Sequence, residues 1–297
     1  MGDVTGITGS WAASPTTARR WLGREMRRLR TGADVAPKVV ADALRSSVAK
    51  VAYTESGEHS FKPRDLTEVL LPLYGVPDDE WAPLLAACRV ARGRGWWAGY
   101  DTESLPDWVR RYIGLEQGAA SLASWEALYP HGLLQVRPYA DALMRSEYAR
   151  LDDDEVEARI EVRLQRQDVL ARRAEPLRAH FVLDEAVLRR VVGGPAVMEA
   201  QLGHLADVAL LPSVTVQVVP FAAGPHPEAA GAFSILDFAG DDPGLVYIEG
   251  RADAEYLDGP AEVEDHRVVF RQLTQLALSP DDSVSLVRTI AKEHRQR

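Results

Sequence analysis

The residues best suited to chemistry lie in the second half of the chain. Over 152–173 a helical repeat brings Arg159, Arg163, Arg166 and Gln167 onto one face, at i, i+4, i+7 and i+8. Guanidinium groups with an amide beside them can hold a carboxylate or phosphate through paired N–H donors. The same stripe can instead pair with Glu155, Glu161 or the acids at 184–185 as an interior ion-pair lattice. Those acids, Asp184-Glu185, end the strand-like run AHFVLDE, and Glu249 follows Val246-Tyr247-Ile248. Paired carboxylates can perform general acid–base chemistry, and Glu249 can grip a ribose hydroxyl; a solvated acid at a strand end is the plainer alternative. His226 lies in VPFAAGPHPEAAGAF (219–233), a loop stiffened by proline, where an imidazole can gate a pocket or titrate near neutrality. Buried charges of both signs persist only when paired or used by a ligand. Arg163, Gln167, Glu185, Tyr247, Glu249 and His226 are therefore expected to converge on one ligand cavity roofed by the 219–233 loop.

Several chemistries are unsupported. The histidines show no H-x-x-x-H spacing, and Cys88 is the single cysteine, so neither a metal site nor an internal disulfide is expected. No serine lies in G-x-S-x-G, and no glycine run has phosphate-loop or dinucleotide-binding spacing. No cofactor and no catalytic residue is assigned; an enzyme is the lesser reading.

A second group of residues suits nucleic acid. ARRWLGREMRRLR repeats Leu22, Met26 and Leu29 at helical spacing and carries six arginines over 19–30, with Arg24, Arg27 and Arg28 as candidate phosphate contacts. VAPKVVADAL follows, with Val35, Val39, Val40 and Leu44 as its expected core face. After a tight turn comes SSVAKVAYTES, closed by Gly57. Three short helices with one sharp turn form the helix-turn-helix layout that places a helix in a DNA major groove. Ser46, Ser47, Lys50 and Tyr53 are its candidate base-facing groups. The net charge is −10, yet a locally basic face on an acidic protein still binds phosphate. Arginine outnumbers lysine throughout, so the cluster also has a purely compositional explanation.

Around these groups the elements fall into an α+β fold. Helical periodicity at 64–75 and 79–92 completes a five-helix N-terminal domain, 17–99, behind a disordered lead-in, 1–16. The segment 92–108, with glycine, proline and three tryptophans, reads as a hinge. From residue 100 to 297 strands at 121–127, 179–185, 214–221, 232–238 and 245–250 mix with helices at 137–146, 152–173, 195–211, 260–277 and 280–294. A hydrophobic fraction of 46% with 26% charge is that of a globular protein, and no apolar run reaches a membrane-spanning length. A cytoplasmic location is expected.

LGREMRRLR, LYGVPDDEW, RGRGWW, YIGLEQGAASLASWE, HGLLQVRPYADAL, EARIEVRLQRQDVL, VGGPAVMEAQLGHL, VTVQVVPFAAGPHP, FSILDF and VYIEG occur in an order that resembles one known group. It is the xenobiotic-response-element (XRE) type of helix-turn-helix regulators abundant in actinobacteria, more narrowly the WhiJ-like subgroup with a C-terminal domain of unknown function. The resemblance spans about residues 17–295. It implies a transcriptional regulator, often encoded beside a small acidic partner protein; binding of operator DNA as a homodimer is expected with it. This chain departs from that pattern. Asp34 and Arg45 stand where glycines are usual, Ala36-Pro37 replaces a Thr-Gln opening of the second helix, and the third helix lacks bidentate Arg, Gln or Asn. Two functions follow as expectations. One is a DNA-binding regulator whose C-terminal domain senses a small-molecule ligand or a partner protein. The other is an enzyme or small-molecule-binding protein that retains a degenerate helix-turn-helix with DNA binding weakened or lost.

Overall fold

The computed structural model describes residues 14–100, 105–148, 151–171, 176–228 and 231–296. The chain divides into two compact units: residues up to Gly99 with Ile113–Gly118, and Tyr100–Tyr112 with Ala119 onward.

In the first unit, α1 (Pro15–Gly32) begins inside the segment expected to be a disordered lead-in. Ser14 caps it, accepting from the backbone N–H groups of Thr16 and Thr17, and Pro15 presets the first turn. Residues 1–13 of that lead-in lie outside the described residues. Ala18, Leu22 and Met26 are fully buried. α2 (Pro37–Ala43) and α3 (Val48–Glu55) follow. The turns bounding α2 hold Asp34 at φ 57° and Arg45 at φ 50°, the left-handed conformation that glycine adopts without strain. The core face of α2 differs from expectation. Val40 and Ala41 are buried, whereas Val39 is 47% exposed. α1 and α3 are locked by an enclosed ion pair: Arg30 donates to both Glu55 carboxylate oxygens, at 2.7 and 3.0 Å, and to the Val35 carbonyl.

α4 (Pro63–Asp65) and α5 (Leu71–Leu73) are joined by a π turn over Leu66–Leu70. Pro72 lacks an N–H to continue a regular ladder, and the Leu71 N–H reaches back to the Leu66 carbonyl. α6 (Trp81–Ala91) completes this helical unit.

The second unit is built on a six-stranded mixed sheet of order β3-β2-β1-β4-β5-β6 among the described residues. The strands are β1 (Ser121–Glu126), β2 (Arg178–Asp184), β3 (Val214–Val219), β4 (Phe233–Asp237), β5 (Leu245–Glu249) and β6 (Ala254–Leu257). β1, β2 and β3 run parallel, and β4, β5 and β6 continue antiparallel from β1. α7 (Asp107–Gly118) is divided, its part from Ile113 onward belonging to the first unit, and the helices of the second are α8 (Arg137–Glu147), α9 (Asp153–Arg166), α10 (Glu185–Arg189), α11 (Pro195–Val208), α12 (Pro260–Leu276) and α13 (Pro280–Arg295). The fold is α+β. α7 occupies the end of the segment read as a hinge, and α7, α10 and β6 are elements the periodicity did not reveal. α9 stops at Arg166, and Gln167 opens a 3-10 turn, so the expected stripe loses its last member.

The strand period of two sorts the sheet faces. Trp125, Val182, Phe233, Ile235 and Val246 join Val263, Phe270 and Leu273 of α12 in one core. The alternate residues, Ser124, Glu126, Ser234, Tyr247 and Glu249, share the opposite face.

Candidate functional site

That opposite face carries a polar row. Register aligns Ser124 with Ser234 and Ser234 with Tyr247 across β1, β4 and β5. The Ser124 and Ser234 hydroxyls are 3.0 Å apart, and Ser124 donates to Glu126 at 2.7 Å. Two residues beyond the row stand Glu126 and Glu249, at the carboxyl ends of β1 and β5, with the Tyr247 hydroxyl donating to Glu249 at 3.2 Å. The chain leaves β1 through α8 and α9 toward β2, then returns from β3 to β4 on the other side of β1. Open sheets tend to have a crevice where strand order switches in this way.

A cavity of about 1410 Å³ opens there, lined by Glu126, Arg163, Arg166, Tyr112, Tyr247 and Glu249 among others. Glu147 and Glu249 are exposed, whereas Tyr112, His131, Gln135, Arg166 and Tyr247 are buried. Burial pushes the Glu126 carboxyl up to about 8, opposed by the Ser124 hydrogen bond and reinforced by the Glu249 charge. The raised value favours the protonated carboxyl near neutrality, while Glu126 accepts from the Ser124 hydroxyl. Burial, then the charges of Arg166 and Arg163, hold His131 well below its ordinary value. Its Nδ1 accepts the Leu133 N–H, so neutral His131 carries its proton on Nε2 and donates to the Tyr112 hydroxyl at 3.0 Å. Tyr112 and Tyr247 rings approach to 4.1 Å, and the Arg166 guanidinium lies over Tyr112 at 5.1 Å. Arg163 donates to Gln135 Oε1 at 2.5 Å and is ion-paired to no carboxylate among the described residues. Desolvation and the neighbouring Arg166 charge lower its proton affinity.

The structure brings together Arg163, Tyr247 and Glu249 of the expected group, and parts the rest. Gln167 lies behind the wall, donating to the Gly132 and Gln135 carbonyls at 3.1 and 2.7 Å. Glu185 is occupied elsewhere: it accepts from the Phe221 N–H and from Arg189, tying the segment after β3 to α10. His226 borders a separate cavity of about 500 Å³, 3.8 Å from the Asp184 carboxylate and edge-on to Trp125. The loop therefore does not roof the main cavity through His226; among its described residues, Gly231, Ala232 and Phe233 line that cavity. Glu126 was missed, although Ser124-x-Glu126 repeats the polar-x-acid spacing of Tyr247-x-Glu249. Arg159, expected in the stripe, lies over the Tyr148 ring at 4.6 Å.

In the first unit, α3 exposes Val48, Ala49, Lys50, Ala52 and Tyr53, and turns Val51 and Glu55 inward. Ser47 caps α3, accepting the Lys50 N–H at 3.2 Å. Ser46 is half-buried in the preceding turn. The arginines of α1 divide. Arg27 is exposed, Arg28 is held by Glu25 at 2.5 Å, Arg24 is half-buried, and Arg20 and Arg30 are buried.

Among the described residues no three metal-ligating side chains gather, and no helix is long and apolar enough to cross a membrane. A family model described as a domain of unknown function (DUF5753) matches residues 109–289. Another, described as a helix-turn-helix domain, matches residues 21–84. No curated protein and no solved structure matches the chain.

Proposed function

Because the chain belongs to the DUF5753 family and carries a helix-turn-helix domain ahead of that domain, we propose that it is a DNA-binding transcriptional regulator whose C-terminal domain senses a small ligand in the cavity beside Glu126 and Arg163. The observation that carries the DNA half is the helix-turn-helix itself, with α3 outward and braced on α1 by Arg30 and Glu55. The XRE type, the WhiJ-like subgroup, an actinobacterial source and a small acidic partner protein belong to this reading through resemblance, and a homodimer and a cytoplasmic location accompany it. The domain boundaries that accompany it are 17–99 and 100–297.

The test is fluorescence anisotropy of the full chain on the DNA upstream of its own gene. Salt-dependent binding is expected. Lys50→Ala with Tyr53→Ala should abolish preference for that DNA without lowering Tm, since both side chains are exposed. Arg27→Ala should weaken all sequences alike and flatten the salt dependence. Absence of binding at low salt would favour the alternative, a ligand-binding protein or enzyme with a degenerate helix-turn-helix. One observation favours that alternative: the exposed face of α3 has no bidentate side chain. For the sensing half, a metabolite-library thermal shift should yield a ligand whose effect Arg163→Met removes.

A further inference from the structure

The exposed face of α3 has a definite chemistry. Val51 and Glu55 pack inward, whereas Val48, Ala49, Lys50, Ala52 and Tyr53 are exposed, so the apolar groups of α3 run from its inner edge onto its outer face. Val48 is 48% exposed and Tyr53 49%. The small polar groups near this face are engaged by the helix itself. Ser47 Oγ caps the Lys50 N–H, and Thr54 Oγ1 donates to the Lys50 carbonyl at 2.5 Å. Lys50 and the Tyr53 hydroxyl are the long donors on the helix, and each suits a phosphate or a single acceptor rather than a two-point base contact. A stripe of methyl groups, in a unit that also exposes Arg27, Arg45 and Lys50, is complementary to an anionic surface bearing apolar points. In the DNA major groove the thymine C5-methyl is that apolar point.

We propose that α3 selects its DNA site by covering thymine methyl groups with Val48, Ala49 and Ala52. This rests on the DNA-binding reading above and specifies what that helix reads. Arginine, glutamine and asparagine are absent from α3 because methyl contact does the discrimination. Lys50 and Tyr53 set the register of that contact on the bases, and the exposed arginines supply sequence-independent attraction.

The experiment uses the full chain and a duplex library with a randomised core. Enriched duplexes should carry thymine at two or more clustered positions. Replacing each of those by deoxyuridine removes the methyl and keeps the base pair. Affinity should fall roughly fourfold per covered methyl, equivalent to the ~0.8 kcal/mol of one buried methylene-sized group. Exchanging a selected T·A pair for C·G should also weaken binding, and 5-methylcytosine at that place should restore part of it. Val48→Ala should reduce the deoxyuridine penalty at one position without changing Tm. Equal affinity for thymine and deoxyuridine duplexes overturns the proposal. So does salt-dependent binding without any enrichment, which leaves the DNA-binding reading standing. No binding to any duplex overturns both.

Discussion

Arg45 holds a backbone conformation that suits another residue. At φ 50° its Cβ crowds the following carbonyl, at a cost of roughly 1–2 kcal/mol. Glycine avoids this but loses more entropy on folding, about 0.5–1 kcal/mol. Arg45→Gly is therefore expected to stabilise the chain by about 1 kcal/mol or slightly less in urea unfolding. Asp34, at φ 57°, should gain less, because Asp tolerates this region. An unchanged or lower midpoint for Arg45→Gly refutes the strain argument. Both positions were legible because glycine is usual there in the resembled regulators. The exposure of Val39 was not legible. A helix of seven residues offers apolar groups on two faces, and the turns at Asp34 and Arg45 decide which one points inward. At Arg163, a guanidinium that faces a cavity and pairs with no described carboxylate contributes little to folding. Arg163→Met is thus expected to lower Tm far less than Arg30→Met, which leaves Glu55 enclosed without its counter-charge at a cost of about 3–5 kcal/mol. Equal losses would make Arg163 a structural residue.

At the scale of elements, α1 and α3 are held at a separation that only glycine allows. A Cβ at Gly23 would stand 2.6 Å from the Glu55 carbonyl oxygen and 2.8 Å from that of Thr54, both backbone atoms that cannot swing aside. Gly23→Ala should therefore destabilise the helix-turn-helix unit by about 1–3 kcal/mol, the range of overpacked cores, and displace α3. Loss of DNA affinity accompanying the drop in Tm is the expected result; a wild-type Tm would refute the close packing. The same device explains why α7 escaped sequence reading. Gly114 and Gly118, four residues apart, look like helix breakers, yet Cβ atoms there would collide with the Thr16 and Thr17 side chains. Glycine here serves contact, which periodicity does not register. β1 to β5 were legible from alternation and β-branched runs, whereas β6, Ala254–Leu257, is a short edge strand with too little pattern to show.

At the scale of the whole chain, the α+β organisation was legible because helical and strand periods occupy different stretches. The cavity was only half legible, because strand order is not written in any local pattern. Spacing placed acids at strand ends, but only the β3-β2-β1-β4-β5-β6 order brings Glu126 and Glu249 to one face and sends Glu185 and His226 elsewhere. That arrangement has a consequence for stability against pH. Glu126 has an ordinary value of 4.5 and is raised to about 8 in the fold, so over that interval the folded chain keeps a proton the unfolded chain has released. Stability must then fall as pH rises through it. His131 acts in the opposite sense: depressed below its ordinary 6.5, it contributes stability that is full above 6.5 and lost as pH falls. Between pH 6.5 and 8 the His131 contribution is constant and that of Glu126 is still changing. The wild-type unfolding free energy is accordingly expected to decline across that window, with a slope below the ~1.4 kcal/mol per pH unit that one proton allows, and Tm with it. Glu126→Gln keeps the shape and an oxygen for the Ser124 hydroxyl, and removes the titration. Its profile should be flatter from pH 6.5 to 8, with the gap to wild type widening as pH rises, because the two coincide only where the carboxyl is protonated in both states, at or below its ordinary 4.5. Parallel profiles across the window would mean that Glu126 is ionised in the fold, and that the cavity presents a carboxylate rather than a carboxylic acid to whatever enters it.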